Sequence, residues 1–405
     1  MRIAVIGGGA AGFFAAITAK KHCPESIVVL LEAGSKVLSK VRISGGGRCN
    51  VTHACFDPVE LATYYPRGAK PLRQAFSRFM TGDTVAWFEE QGVLLKTEAD
   101  GRMFPVTDDS QTIVDCLTGS AVSVGVEIRL HASVGELIPL EPGFRIVFRD
   151  GSSEDFDRVL VATGGQPKLV GFNWLVKLGH TVVAPVPSLF TFNIPDPKLT
   201  SLMGVSVNPV TVELPAERLS VTGPLLITHW GLSGPAVLKL SSLGARKLAE
   251  RNYSFEVSVN WSGSLAPEQL SEQIAALRRQ KGAMKVNNAM PLELPRRLWE
   301  YLLERSGVRS DVNWQDLRKD ELDRLCQVIC KDSYAVIGKT TFKDEFVTCG
   351  GIELSEVDFR TMQSKRIPGL YFAGEVLDID GLTGGFNFQA AWTTGYLAGM
   401  AMATD

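Results

Sequence analysis

The chain opens on a short apolar run, Arg2 to Ile6, that ends in glycines. Ala10 to Lys20 follows with helix-forming residues, and Ile27 to Leu31 is a second β-rich run. This order predicts a β-α-β unit. From Val93 the pattern shortens into β runs separated by turn signals at Asp100-Gly101, Glu141-Pro142-Gly143 and Asp150-Gly151. A helix is predicted over Asp109 to Val122 and an antiparallel hairpin over Val134 to Phe148. The unbroken apolar run Val159 to Ala162 then leads into Thr163-Gly164-Gly165, as expected of a strand buried on both faces of a parallel sheet.

The rhythm changes at Pro185-Val186-Pro187, where a domain boundary is predicted. Phe190 to Ile194, Val205 to Leu214 and Phe255 to Trp261 alternate like strands of a small β domain or barrel. Between about Pro267 and Val328 the period becomes helical, with stretches at Glu268 to Arg278, Glu293 to Glu304 and Asp320 to Cys330. The last 60 or so residues return to the opening style. Gly369 to Glu375 is a buried strand ending in glycine and a carboxylate, and Gly384 to Ala403 is a glycine-started helix. Both chain ends are therefore expected in one domain, with the middle inserted into it.

Composition narrows the function. The 405 residues are 45% hydrophobic and 21% charged, a balance that excludes a disordered chain and allows two or three domains. The formal charge of −2 supplies no field to attract nucleic acid or an acidic membrane. Seven scattered cysteines, an odd number, do not form a secreted disulfide framework, so a reducing cytoplasm is expected. Glycines interrupt the apolar stretch Ile3 to Ala19, and no other run offers the ~20 apolar residues of a membrane span. A soluble protein is the expectation.

Gly7-Gly8-Gly9-Ala10-Ala11-Gly12 is a GxGxxG directly after a strand and at the start of a helix. Gly7 permits the tight turn, Gly9 lets backbone approach a pyrophosphate, and Gly12 allows close helix–sheet packing. The helix start, with Ala10 and Ala11, offers unpaired N–H groups and partial positive charge. Glu32, at the end of the second strand, suits the hydroxyls of an adenosine ribose. A dinucleotide follows, although NAD and FAD share this fingerprint. A second segment, Ser44-Gly45-Gly46-Gly47-Arg48-Cys49-Asn50, places three polar side chains after glycines that let backbone lie close to a flat or anionic ligand.

Five segments carry a resemblance: Val5–Gly12, Lys40–His53, Val161–Gly165, Thr228–Leu238 and Gly369–Ala391. In them the chain resembles the aminoacetone oxidase and BaiN-like family of FAD-dependent oxidoreductases, within the glutathione-reductase-type flavoproteins. The resemblance implies an α/β protein with a discontinuous Rossmann-like FAD domain over 1–188 and 343–405. An inserted β-barrel-like domain over 189–266 and 329–342 would carry a helical subdomain over 267–328. It also implies that Lys40, Gly46, Gly47, Arg48, Cys49 and Asn50 lie along the pyrophosphate and flavin ring, that Val134 meets the adenine, and that Thr163 and Gly164 line the cofactor. Gly374 would admit the ribityl chain, with Glu375 or Asp378 accepting its hydroxyls. Gly385, Phe386 and Asn387 would start a helix whose dipole faces the flavin N1–C2=O edge.

Cys49 and Cys55 lie where flavin disulfide reductases keep a redox pair, but five residues separate them instead of two or four, and no second glycine fingerprint follows. Cys326 and Cys330 are expected in a helix core, and Cys349 is either near the flavin or simply buried. The five histidines form no metal-ligand pattern, so no metal is expected. His229, before a helix start in the insert, is either a proton donor facing substrate or a structural residue. The expected function is FAD-dependent hydride transfer between flavin N5 and a small molecule, with NAD(P)H as a transient donor. Arg48, Asn50, His229 and Asn387 are the candidate catalytic residues. A redox sensor or scaffold without turnover, and a flavoprotein acting on nucleic acid, are the alternatives.

Overall fold

The computed structural model describes residues 1–340 and 347–404. The chain divides into two units, Met1–Ser188 with Lys343–Asp405, and Leu189–Phe342. The return crossing expected at 342–343 lies outside the described residues.

In the first unit, β1 (Arg2–Ile6) pairs in parallel with β2 (Ile27–Leu31), and helix α1 (Ala10–His22) connects them. Three further parallel strands extend the sheet: Glu127–Arg129 beyond β2, and Arg158–Val161 then Leu370–Phe372 on the other side of β1. The last of these arrives from the far end of the chain, so both termini share one sheet. Two short antiparallel strands, Gln363–Ser364 and Val357–Asp358, finish that edge. The strand centres are apolar and buried on both sides, as parallel strands covered by helices must be.

The C-terminal helix Phe386–Ala403 is apolar around most of its circumference, and twelve of its residues are buried. A helix of that character belongs inside a protein. It packs on α1 through Gly395 and Gly399, where a Cβ would stand 2.6 Å from the carbonyl oxygens of Ala11 and Ala15. Trp392 fills the adjoining space against Phe14 and Phe88.

The second unit is built on an antiparallel sheet in the order Asp332–Val336, Phe255–Asn260, Ser206–Leu214, Leu219–Thr228, Gly231–Ser233, Thr191–Asn193, Lys339–Thr340. Its first and last strands are consecutive in the chain and joined by Ile337-Gly338 alone, so the two edges of the sheet must approach each other. Helix Pro235–Glu250 covers strands Ser206–Leu214 and Leu219–Thr228. Helices Pro267–Lys281, Arg296–Ser306 and Lys319–Cys330 pack together, and their apolar faces join the core of the sheet. Cys326 and Cys330 are buried in that core, as their helical spacing predicts. Among the described residues no helix is long and apolar enough to cross a membrane.

Candidate functional site: two glycine-lined clusters

The first cluster forms at the C-terminal ends of β1 and its parallel neighbours. Gly7 has φ +117, and a Cβ there would strike the carbonyl of Ala162 on the adjacent strand. A Cβ on Gly12 would strike the Gly7 carbonyl oxygen, so α1 can leave the turn only if that residue is glycine. Gly9 is different: a Cβ on it meets nothing within 4 Å. Space therefore lies over the one glycine that packing does not require. Gly9 caps α1 without any side-chain hydrogen bond, and the first turn holds no acidic residue, so its N–H groups are left for an anion.

Glu32 is half-buried beside this turn. Its Oε2 accepts from the Gly8 N–H at 2.9 Å and its Oε1 from the Gly34 N–H at 2.7 Å. The carboxylate is thus aligned by backbone at the position where a ribose is expected. Gly374, with φ +73, brings the C-terminal segment to the same place, since its Cβ would lie 2.9 Å from that of Ala11. Glu375 follows at once, but its carboxylate is engaged: Lys40 Nζ donates at 2.7 Å and the Thr348 N–H at 2.8 Å. Asp378, the other expected ribityl acceptor, is buried, and its own N–H donates to the Ile352 carbonyl at 3.1 Å. Thr163 and Gly164 line the strand end next to Gly7, and Gly164 also has open space where a Cβ would be. Val134 begins the hairpin strand Val134–Pro139 and is half-buried.

The sequence offered no reason to single out Thr348. It is fully buried, yet among the described residues its hydroxyl has no hydrogen-bond partner, and a Cβ on Gly165 would stand 2.6 Å from that oxygen. A buried hydroxyl without a partner is costly. The Thr348 hydroxyl lies in the same cluster as the helix start without a side-chain cap and the glycines with open space. The residues present fit FAD.

The second cluster joins the Ser44–Asn50 segment to the start of the C-terminal helix. The backbone turns sharply there: Gly45, Gly46, Gly47 and Cys49 all have positive φ, and Gly46 and Gly47 have open space where a Cβ would be. Arg48 turns toward acids. It bonds Glu98 at 2.6 Å, reaches Asp108 at 3.5 Å and lies 4.0 Å over the Phe104 ring. Asn50 is buried and bridges the two segments. With its amide set to satisfy its neighbours, Oδ1 accepts from the Gly385 N–H at 3.0 Å and Nδ2 donates to the carbonyls of Thr52 and Met103. Asn387 braces its own turn, accepting from the Gly381 N–H at 2.8 Å and donating to the Gly381 carbonyl at 3.0 Å.

Phe386 packs against Tyr64, stacked at 4.3 Å, and His53, at 4.6 Å, and those two rings lie 5.8 Å from each other, so the three form one cluster. The Tyr65 hydroxyl donates to the Phe386 carbonyl at 2.7 Å. Tyr64 and Tyr65 went unnoticed in the sequence because nothing local links them to Phe386, more than 300 positions away. Gly385 keeps φ +95 and caps the helix with no side chain. Burial pushes the Cys49 thiol up to about 12, so it stays protonated near neutrality. The Cys55 thiol is also raised by burial. His229 lies in the second unit, exposed on the turn between strands Leu219–Thr228 and Gly231–Ser233, with its ring 4.0 Å from that of Trp230. Among the described residues no group of histidine, cysteine and acidic side chains is arranged to hold a metal ion.

Residues 1–401 match the family model described as the HI0933-like protein Rossmann domain. The chain is 28% identical to the 3-dehydro-bile acid delta(4,6)-reductase of Clostridium scindens, across 99% of each protein. It is 31% identical to the ribosomal RNA dihydrouridine synthase of Escherichia coli, across 97% of this chain and 95% of that one. Among solved structures, the 3-ketosteroid-delta4-(5alpha)-dehydrogenase of Rhodococcus jostii aligns with a TM-score of 0.52 at 16% identity, covering 100% of this chain and 96% of that one, and so shares the fold. With a full-length family match and a glycine turn that fits the cofactor, the chain belongs to the HI0933-like family of FAD-binding Rossmann proteins and is an FAD-dependent oxidoreductase.

Proposed function

We propose that the protein reduces a ring carbon–carbon double bond conjugated to a carbonyl, with FAD as hydride carrier and NAD(P)H as transient donor. One observation supports this choice of reaction. The bile-acid reductase and the dihydrouridine synthase differ in substrate, yet both names describe saturation of a ring double bond next to a carbonyl. When bound, FAD supplies the hydride from its N5 position. That hydride would go to the alkene carbon remote from the carbonyl and a proton from water to the neighbouring carbon, with NAD(P)H leaving as NAD(P)⁺.

The protein's own part in this reading is binding and orientation. Gly9 and the uncapped start of α1 take the pyrophosphate, Glu32 the adenosine ribose, and Thr163, Gly164, Gly374 and Thr348 the chain between the two ends. Gly46, Gly47 and the start of the helix at Gly385 would hold the flavin ring, and the N–H groups of that helix would favour negative charge on it. Asn50 and Asn387 act through the backbone they brace, and Arg48 through its pairing with Glu98 and Asp108. Lys40 and Glu375 act as an ion pair at the cofactor's edge. The substrate is a small molecule, in keeping with a formal charge of −2, and the protein works in the cytoplasm, without nucleic acid or membrane as partner.

Anaerobic mixing tests the reading. Protein reduced with NADH or NADPH is offered 4-androstene-3,17-dione, uridine or uridine-containing RNA, and products are weighed by mass spectrometry. A steroid or uridine carrying two added hydrogens supports it, and modification of RNA alone replaces the small-molecule partner with nucleic acid. Flavin that is reduced but passes hydride to none of them returns the protein to the class of redox sensors.

A further inference from the structure

The C-terminal helix Phe386–Ala403 is apolar and buried, yet its fourth residue carries an amide. Gln389 is fully buried, as are the three hydroxyl-bearing residues around it, Thr52, Thr84 and Thr393. The direction of each bond is fixed. Thr393 Oγ1 gives its one proton to the Phe79 carbonyl at 3.1 Å, so it can only accept from the amide, and Gln389 Nε2 donates to it at 3.1 Å. Gln389 Oε1 therefore faces the other way, accepting from Thr52 Oγ1 at 2.6 Å and from Thr84 Oγ1 at 3.1 Å. A methionine of similar volume would pack here without polar atoms to bury, so the amide's contribution lies in its partners. Those partners are far away in the chain: Thr52 follows the glycine turn 45–49, and Thr84 belongs to helix Thr81–Glu90.

Gly385, Gln389 and Trp392 are spaced i, i+4, i+7 and so share one face of the helix. Each bonds to one of three consecutive residues. The Gly385 N–H donates to Asn50 Oδ1 at 3.0 Å, Gln389 takes the Thr52 hydroxyl, and Trp392 Nε1 donates to the Val51 carbonyl at 2.9 Å. Gly385 also packs directly on the Thr52 carbonyl, where a Cβ would stand 2.5 Å from the oxygen, and its own carbonyl accepts from the Gln389 N–H at 3.0 Å. Residues 50–52 are thus stitched to the start of the helix. Of the three ties, the one from Thr52 to Gln389 is the shortest and joins two side chains, so substitution can remove it without disturbing backbone.

We propose that Gln389 is a positioning residue for the flavin: through Thr52 it sets the distance between the glycine turn 45–49 and the helix start at Gly385, the two sides of the place where the ring would lie. The inference rests on the reading that this helix start holds the flavin ring, and adds what holds the helix start. The N–H groups of a helix terminus act on a nearby charge only over about one turn. A displaced helix start therefore stabilises negative charge on the reduced ring less, and the flavin midpoint potential falls. Thr84 bonds the same oxygen from helix Thr81–Glu90, which forms neither side, so its bond supports the fold without setting that distance.

Spectroelectrochemical titration of the FAD-loaded protein tests this without any substrate. Thr52→Val and Gln389→Met remove the bond from either side while keeping the packing. Each should lower the affinity for reduced relative to oxidised FAD about tenfold, a fall of about 30 mV for a two-electron couple. The double variant should fall no further than either single one, as expected of two partners in one bond. Thr84→Val should destabilise the fold in a thermal melt yet leave the affinity ratio within about twofold of the parent. If Gln389→Met does not fold, Thr52→Val carries the test. Single variants within about twofold of the parent, additive losses in the double variant, or an equal fall in Thr84→Val would overturn the proposal. Asn387→Asp separates it from the reading beneath it, because a charge added to the first turn should lower the potential of any ring held at the helix start, whatever Gln389 does. A potential unmoved by Asn387→Asp would sink that reading and the proposal with it. A fall in Asn387→Asp with none in Thr52→Val or Gln389→Met would sink the proposal alone.

Discussion

The two glycine-rich segments of the first unit look alike in sequence and solve different problems. In Gly7–Gly12 the glycines interact with backbone close by: Gly7 with the next strand, Gly12 with Gly7, while Gly9 faces open space. In Ser44–Asn50 the glycines make the turn, but the polar residues after them reach to Glu98, Asp108 and Gly385, distant in the chain. The first segment is a tight backbone turn that leaves open space over Gly9. The second is a junction whose side chains hold other parts of the fold in position. Glycine spacing reports the first role well and says little about the second.

The sharpest way to break this contrast is at Gly12. Gly12→Ala drives a methyl into the Gly7 carbonyl, with an expected loss of about 3 kcal/mol or more in denaturant unfolding and loss of bound FAD. Stability within error of the parent would show that the helix does not depend on that close approach. Glu32→Ala releases two backbone N–H groups and removes the expected ribose acceptor, so FAD affinity should fall by about 30–100-fold, or about 2–3 kcal/mol, in a fluorescence titration. Retention equal to the parent would remove Glu32 from the site.

Asn50→Ala tests the junction. It leaves the Gly385 N–H and two carbonyls unpaired, and a thermal or denaturant melt should show about 2 kcal/mol of destabilisation even in apoprotein. Gly9→Ala gives the opposite signature. The apoprotein should lose only about 1 kcal/mol or less, through the weaker N-cap, while FAD affinity drops about tenfold because a methyl occupies the pyrophosphate's place. A Gly9 variant that melts like Gly12→Ala would erase the difference between the two glycines.

Arg48→Ala should have the smallest effect. Its side chain is 33% exposed and paired with Glu98, a solvent-screened geometry whose removal should leave the melt of the apoprotein close to that of the parent. The flavin midpoint potential should stay within about 30 mV of the parent, a span equal to about 1.4 kcal/mol for a two-electron couple. A larger fall in spectroelectrochemical titration would show that the guanidinium leaves Glu98 for the flavin edge.

The sequence alone was enough for β1, α1 and β2, the hairpin from Val134, the buried strand at Val159 and the helices of the second unit, because each is set by periodicity and turn residues within a dozen positions. It also marked the close-packed turn at Gly7–Gly12, since that turn needs only glycine spacing between a strand and a helix start. Only the tertiary structure decided where the polar side chains point. Arg48 found acids contributed by other segments, Asn387 turned back on Gly381, and Asn50 reached a glycine more than 300 residues away. The buried Thr348 hydroxyl, without a partner among the described residues, and the cluster of Phe386 with Tyr64 and His53 were likewise invisible in one dimension. The physical reason is range: backbone conformation is chosen by near neighbours along the chain, whereas a long polar side chain takes whichever partner folding brings within about 3 Å, and a linear pattern does not carry that distance.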